Sequence, residues 1–236
     1  LREIQLSKRD VLDILAEAPW AAGMIKLAIE AKKNNPELSR WVFFESQVRG
    51  TLAFRVLDAK GSGDSFPRWF VSSGLVAALV KGSPIVDEGR EVRGTYQGVK
   101  DQQKTRTAHN SIDEAAQQVA TAVQSLAADY ARRWARRPQD PGASEPDRHS
   151  LYVPAIVTTA TVTLCRFDPC SIPLTSGEID PNKASLTDVP WVLYEFRLPR
   201  HLQVPPLDWA KALLGIEAHQ AFNRMPIFIV QSAHVP

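Results

Sequence analysis

Apolar positions change their period several times along the chain, and each change marks an element. In residues 8–34, Val11, Ile14, Leu15, Met24, Ile25, Leu27 and Ala28 recur among spaced polar residues behind Asp10 as N-cap. Pro19 interrupts the pattern and Asn34-Asn35-Pro36 stops it, which predicts two helical pieces. Residues 41–48 and 52–60 are instead rich in aromatic and β-branched side chains and flank Arg49-Gly50-Thr51, the pattern of a β-hairpin. A helical segment is expected from Arg68 to about Val80, closed by Gly82 and Pro84. The stretch 87–110 is polar and glycine-containing and reads as a long loop. Ser111-Ile112-Asp113-Glu114 has capping-box spacing and opens an Ala-rich helix to about Arg137. After a Pro- and Asp-rich surface linker at 138–150, β-branched residues predict one or two strands over 153–167 and another over 189–197. A helix over 207–222 and a buried strand over 226–231 complete the order. The fold class is α/β in the mixed α+β sense: one domain, 1–236, with a central mixed β-sheet flanked by helices.

Composition adds mainly exclusions. The 236 residues are 44% hydrophobic and 23% charged, with a formal net charge of +2, so no global field demands an anionic partner. No apolar run approaches the roughly 20 residues of a membrane span, and the N-terminal Leu-Arg-Glu-Ile-Gln reads as neither signal peptide nor transit sequence. The chain opens on Leu1 rather than an initiator Met, which leaves room for a further ligand upstream. Cys165 and Cys170, five residues apart, have no histidine or third cysteine close by, arguing for a reducing, cytoplasmic setting and against a disulfide framework or zinc ribbon. His109, His149, His201, His219 and His234 form no H-x-H or H-x-x-x-H pair. The motifs G-x-S-x-G, G-x-x-x-x-G-K-[ST] and G-x-G-x-x-G are absent from the sequence.

The second expected hairpin strand carries Leu52, Phe54, Val56, Asp58 and Lys60 on one face, so an apolar strand ends on a carboxylate and an ammonium ahead of Gly61. Asp58-Ala59-Lys60 resembles the (D/E)-x-K signature of the PD-(D/E)XK nuclease superfamily. That family places a further acid on the neighbouring strand, for which Glu45 is the candidate, and often a Gln on the helix after the motif. Gln118, in Gln118-Val119-Ala120-Thr121-Ala122, resembles the latter. The strand after that helix would be the next core strand. The resemblance implies a restriction-endonuclease-like fold, Glu45 and Asp58 as ligands of Mg²⁺ (or Mn²⁺), and Lys60 as the group that activates water or stabilises phosphoryl charge.

With 26 acids and 10 lysines in 236 positions, about one acid-x-Lys triplet arises by chance, and Glu30-Ala31-Lys32, expected on a helix, is a second example. The strand-end position therefore favours Asp58 and Lys60. Arg90, Arg93, Lys100, Lys104 and Arg106, with Arg132, Arg133, Arg136 and Arg137 at the helix end and Tyr96 for base stacking, could track nucleic-acid phosphates. The arginines at the helix end equally suit the macrodipole. The implied function is a Mg²⁺-dependent endonuclease acting on DNA, of restriction or defence type, with a homo-oligomer or a larger complex as the assemblies open to it. The alternative is a non-catalytic module that binds nucleic acid or protein, and a third reading is a structural or oligomerisation domain.

Overall fold

The structure is a computed structural model, and it describes residues 2–5, 11–20, 23–34, 39–45, 56–58, 84–93, 111–135, 149–168, 170, 181–203 and 223–234. Strands β1 (Arg2–Gln5), β2 (Val11–Trp20) and β3 (Gly23–Lys32) form an antiparallel meander. The expected helical pair over 8–34 is therefore a β-hairpin. Its apolar residues serve both faces of the sheet: Leu15 and Ala28 point to the buried side, while Ile14 and Ile29, directly opposite each other, point to the other. A strand lined with apolar residues on both faces loses its two-residue alternation, and Leu, Ala and Met at these spacings imitate a helical stripe.

Strands β4 (Ser39–Glu45), β5 (Val56–Asp58) and β6 (Ile85–Arg93) follow. The expected hairpin between residues 41–48 and 52–60 does not form, because β4 pairs with β6 on one edge and β8 on the other, and β5 pairs with β7. Residues 85–93 are a strand rather than the start of a loop. Their charge-rich sequence reflects one exposed face, with Asp87, Glu88 and Arg90 in solvent while Val86 and Gly89 are buried. A β-carbon at Gly89 would lie 2.7 Å from the Phe43 ring and 3.2 Å from Ile112, so glycine permits the close approach of the helix here.

Helix α1 (Ser111–Ala135) is the expected one. Ile112, Ala115, Ala116, Val119, Ala120, Ala122 and Val123 are buried along one stripe, and the small alanines let it sit close to the sheet. The remaining strands are β7 (His149–Thr158), β8 (Thr161–Arg166), β9 (Ser185–Asp188), β10 (Trp191–Arg197) and β11 (Arg224–Gln231); β7, β8, β10 and β11 answer to the strands expected over 153–167, 189–197 and 226–231, and β9 was not expected. The predicted helices over 68–80 and 207–222 lie outside the described residues.

The sheet order is β1-β2-β3-β7-β11-β10-β6-β4-β8-β9, with β5 beside β7. It is mixed: β3, β7 and β11 are mutually parallel, as are β10 with β6 and β4 with β8. β7 and β8 are joined by Thr159 and Ala160 alone, although β11, β10, β6 and β4 lie between them in the sheet order. The sheet is therefore rolled, and one core of Leu12, Ala28, Phe43, Ile156, Val162, Tyr194 and Ile227 with the helix stripe fills its inner side. Among the described residues, the molecule is thus mixed α+β with one large mixed sheet and one α-helix.

Candidate functional site

Among the described residues, the C-terminal end of β3 gathers a group of interacting charges. Strand alternation puts Ala28, Glu30 and Lys32 on the helix side, and the β2–β3 register, with Ile14 opposite Ile29, puts Asp13 beside Glu30. Ordered pairing of β2 with β3 stops at Ile14, and the next strand amide is taken by a side chain: Ala31 N donates to Asp13 Oδ2 at 2.7 Å. Asp13 is thereby fixed against the backbone of the acid-x-Lys triplet.

Glu30 is 6% exposed, and its Oε1 lies 2.9 Å from Lys32 Nζ. The same ammonium donates to Gln118 Oε1 at 2.6 Å, on the exposed flank of α1. Lys32 thus links β3 to the helix through two acceptors. Burial pushes the Glu30 carboxyl above its ordinary range; Lys32 works against this, and the nearby charges of Asp13 and Glu114 add to it. Glu114 lies one turn before Gln118 on the same helix. Hence three acids, one ammonium and one amide converge where β2, β3 and α1 meet.

The surroundings hold this corner in place. Tyr194 on β10, packed against Phe43 and Phe196, donates its hydroxyl to Asp113 Oδ1 at 2.8 Å and so anchors the first turn of α1. Burial and that carboxylate push the Tyr194 hydroxyl far above its usual range, so it stays protonated as the donor. Ser111, which opens the helix, donates its hydroxyl to Glu91 Oε2 on β6 at 2.8 Å. The chain leaving β3 is tied down too: Thr159 N donates to Lys32 O at 3.1 Å, and Asn34 N donates to Thr159 Oγ1 at 2.7 Å.

Of the residues singled out in the sequence, Gln118 meets a motif lysine, but that lysine is Lys32. Glu45 lies on β4 and accepts from Arg166 Nε on β8 at 2.8 Å, an exposed pair. Asp58 ends β5 opposite His149 of β7, so Glu45 and Asp58 stand on strands that are not neighbours. Lys60 lies outside the described residues. Arg90 is exposed on β6 and pairs with Glu88 two residues away at 2.7 Å, and Arg93 is opposite Ser39 in the ladder. Lys100, Lys104, Arg106 and Tyr96 lie outside the described residues, as do Arg136 and Arg137, while Arg132 and Arg133 belong to the last turns of α1. Glu30 and Lys32 were visible as a triplet, and the misplaced helix hid them. Their telling signal is the one applied to Asp58: an acid-x-Lys at the end of an apolar strand, just before a turn sequence.

Among the described residues, no three His, Cys, Asp or Glu side chains are gathered closely enough to cage a metal ion by themselves. None of the described helices is long and apolar enough to cross a membrane. No family model, curated protein or solved structure matches the chain.

Proposed function

We propose that the chain is a metal-dependent phosphodiester hydrolase acting on DNA, of the PD-(D/E)XK kind that its sequence resembles, with its reaction centre at Asp13, Glu30, Lys32 and Gln118. The observation that carries this reading is the Lys32 ammonium, held between the buried Glu30 carboxylate and the Gln118 amide. Each part that the resemblance implied has a counterpart around this triplet. The acid-x-Lys ends an apolar, half-buried strand, the second acid is on the neighbouring strand, the Gln is on the helix that follows, and β7 is the next strand after that helix, parallel to β3.

The donor set suits Mg²⁺ or Mn²⁺. Such hard ions are usually held by one or two carboxylates, with water and substrate phosphate completing the shell, so a full protein cage is unnecessary. Asp13 and Glu30 would supply the carboxylates and the Ala31 carbonyl a neutral oxygen; burial first, and the charges of Asp13 and Glu114 after it, raise the Glu30 carboxyl, and a bound cation would oppose all three. A bound divalent ion would neutralise the scissile phosphate and acidify a water molecule. Lys32, 24% exposed at its side chain, can face the phosphate while Gln118 fixes its direction. Held between Glu30 and Gln118, the Lys32 ammonium serves best to orient the attacking water and to stabilise the charge that develops on phosphorus. The two free cysteines, one buried and one exposed, suit a reducing, cytoplasmic setting.

Cleavage of supercoiled plasmid, linear DNA and single-stranded RNA in Mg²⁺, Mn²⁺ or EDTA tests the proposal with wild type, Lys32→Ala and Asp58→Ala. Metal-dependent DNA cleavage that is lost in Lys32→Ala and kept in Asp58→Ala is the expected result. The reverse pattern moves the site to Asp58 and Lys60. A wild-type chain that binds nucleic acid in a salt-sensitive, Mg²⁺-indifferent manner without cutting it belongs to the non-catalytic reading.

A further inference from the structure

We propose that Glu91 is a positioning residue: by tying the start of α1 to the exit of β3, it sets the rotation of the helix at which Gln118 meets Lys32. This inference rests on the reaction centre proposed above. Glu91 sits on β6, which is separated from β3 in the sheet order by β10, β11 and β7, so no ladder hydrogen bond links the two strands. Its side chain makes the link instead. Oε2 accepts from Ser111 Oγ at 2.8 Å, and Oε1 accepts from Asn34 Nδ2 at 3.4 Å.

Both partners are one short step from the centre. Asn34 is two residues beyond Lys32, and its backbone is fastened to Thr159 in both directions: Asn34 N donates to Thr159 Oγ1, whose hydroxyl donates to Asn34 O. Ser111 precedes Gln118 by seven residues, two turns of helix and about 10 Å, which brings both to the same side of α1. A hydrogen bond that fixes Ser111 therefore fixes the azimuth of Gln118. At 2.6 Å, the Gln118–Lys32 bond tolerates little rotation before it is lost. The apolar stripe of α1 is built largely from alanines, which interlock weakly and leave such a polar tie to define the rotation.

The test uses the full chain and two readouts: kcat and KM for Mg²⁺-dependent plasmid cleavage, and the ¹⁵N NMR signal of the Lys32 ammonium, which is protected from exchange while both acceptors hold it. Glu91→Ala is expected to lower kcat about tenfold at unchanged KM, the usual cost of removing an outer support from a reaction centre. Glu91→Gln keeps the acceptor oxygen and restores most of the rate. In a Gln118→Ala background, Glu91→Ala adds less than about twofold, since its route of action is already cut. The Lys32 signal weakens in Glu91→Ala and persists in Glu91→Gln. Losses that multiply in the double variant, equal impairment by Ala and Gln, or an unchanged Lys32 signal each overturn the proposal. Should Glu91→Ala fail to fold, Ser111→Ala removes the same hydrogen bond and the same cycle decides. Should the wild type cleave nothing, the hydrolase reading fails, and the NMR signal alone then decides whether Glu91 positions Lys32.

Discussion

Two carboxylates lie deep in this sheet, alike in burial, ion-pair distance and the direction of their pKa shift, but unlike in what surrounds them. Glu30 on β3 is 6% exposed and Glu195 on β10 is 8% exposed; each has a cation 2.9 Å away, and burial raises the pKa of each. Glu195 lies on the sheet face opposite Tyr194 and the helix, and its partner Arg224 comes from the adjacent β11, with Asp87 the further acid, among the described residues, that adds to its shift. Glu30 faces the helix, its cation is two residues along its own strand, and that cation is shared with Gln118 while Asp13 and Glu114 crowd the carboxylate. A perturbed buried acid therefore does not distinguish a reaction centre from a strut between strands. What distinguishes Glu30 is convergence: groups from β2, β3 and α1 point at one place, and the lysine stays partly open to it.

The two cations should part company most sharply in catalysis. Lys32→Met is expected to reduce single-turnover DNA cleavage by about a thousandfold, the scale of losing a positioned charge that stabilises the transition state. Arg224→Met, measured under conditions where it remains folded, should stay within about twofold of wild type. Equal losses in the two variants would erase the distinction drawn between the carboxylates.

Stability should reverse that order. Arg224→Met leaves a buried Glu195 without its cation and should cost about 3 kcal/mol in urea unfolding at pH 8. The deficit should shrink on acidification. The Glu195 carboxyl titrates above its ordinary value of 4.5 in the folded chain, so the native state holds a proton that the unfolded state has released. Stability then falls as pH rises through the range just above 4.5, and removing Arg224 widens that range. Glu195→Gln should flatten this dependence and leave cleavage intact.

Glu30→Gln carries the same sign with the opposite functional result. Its carboxyl is also raised, by burial first, so replacing it with a neutral amide should raise stability by about 1 kcal/mol while abolishing metal-dependent cleavage. Urea midpoints and cleavage on one preparation check both. A Glu30→Gln chain that is stabilised and still cuts would make Glu30 a strut like Glu195.

The parts of this arrangement that the sequence disclosed are those set by local rules. Helix α1 was legible because its apolar residues lie on one stripe and alanine favours the helix, and Gln118 came with it. The strands expected over 153–167 and 226–231 were legible, the first because β-branched residues run through it and the second as a short continuous apolar run. β2 and β3 were hidden by being apolar on both faces, which concealed Glu30-Ala31-Lys32 in an imagined helix. The partner of β4 was hidden for another reason. Phe43 and Trp41 announce a strand, but its choice of β6 and β8 over the nearby residues 52–60 is settled by the rolled core, which no local pattern encodes. Glu91 could not be recognised at all, since its role exists only where the roll brings β6 to the exit of β3.

The mildest perturbation sits on the same two strands as the centre itself. Glu17 of β2 is directly opposite Lys26 of β3, on the same sheet face as Asp13 and Glu30, and its carboxylate lies 3.2 Å from Lys26 Nζ. It is an acid–lysine pair of the same composition as Glu30–Lys32, but the Glu17 side chain is 48% exposed, so water screens the interaction and its removal leaves no buried charge behind. Lys26 also lies 5.8 Å from the Tyr152 ring centroid, a contact that survives loss of the acid. Glu17→Gln should therefore change unfolding free energy by no more than about 0.5 kcal/mol and leave cleavage unaltered. If cleavage instead dropped as it should in Lys32→Met, charge along the whole β2–β3 hairpin would govern the reaction, and the convergence of Asp13, Lys32 and Gln118 on Glu30 would not be its cause.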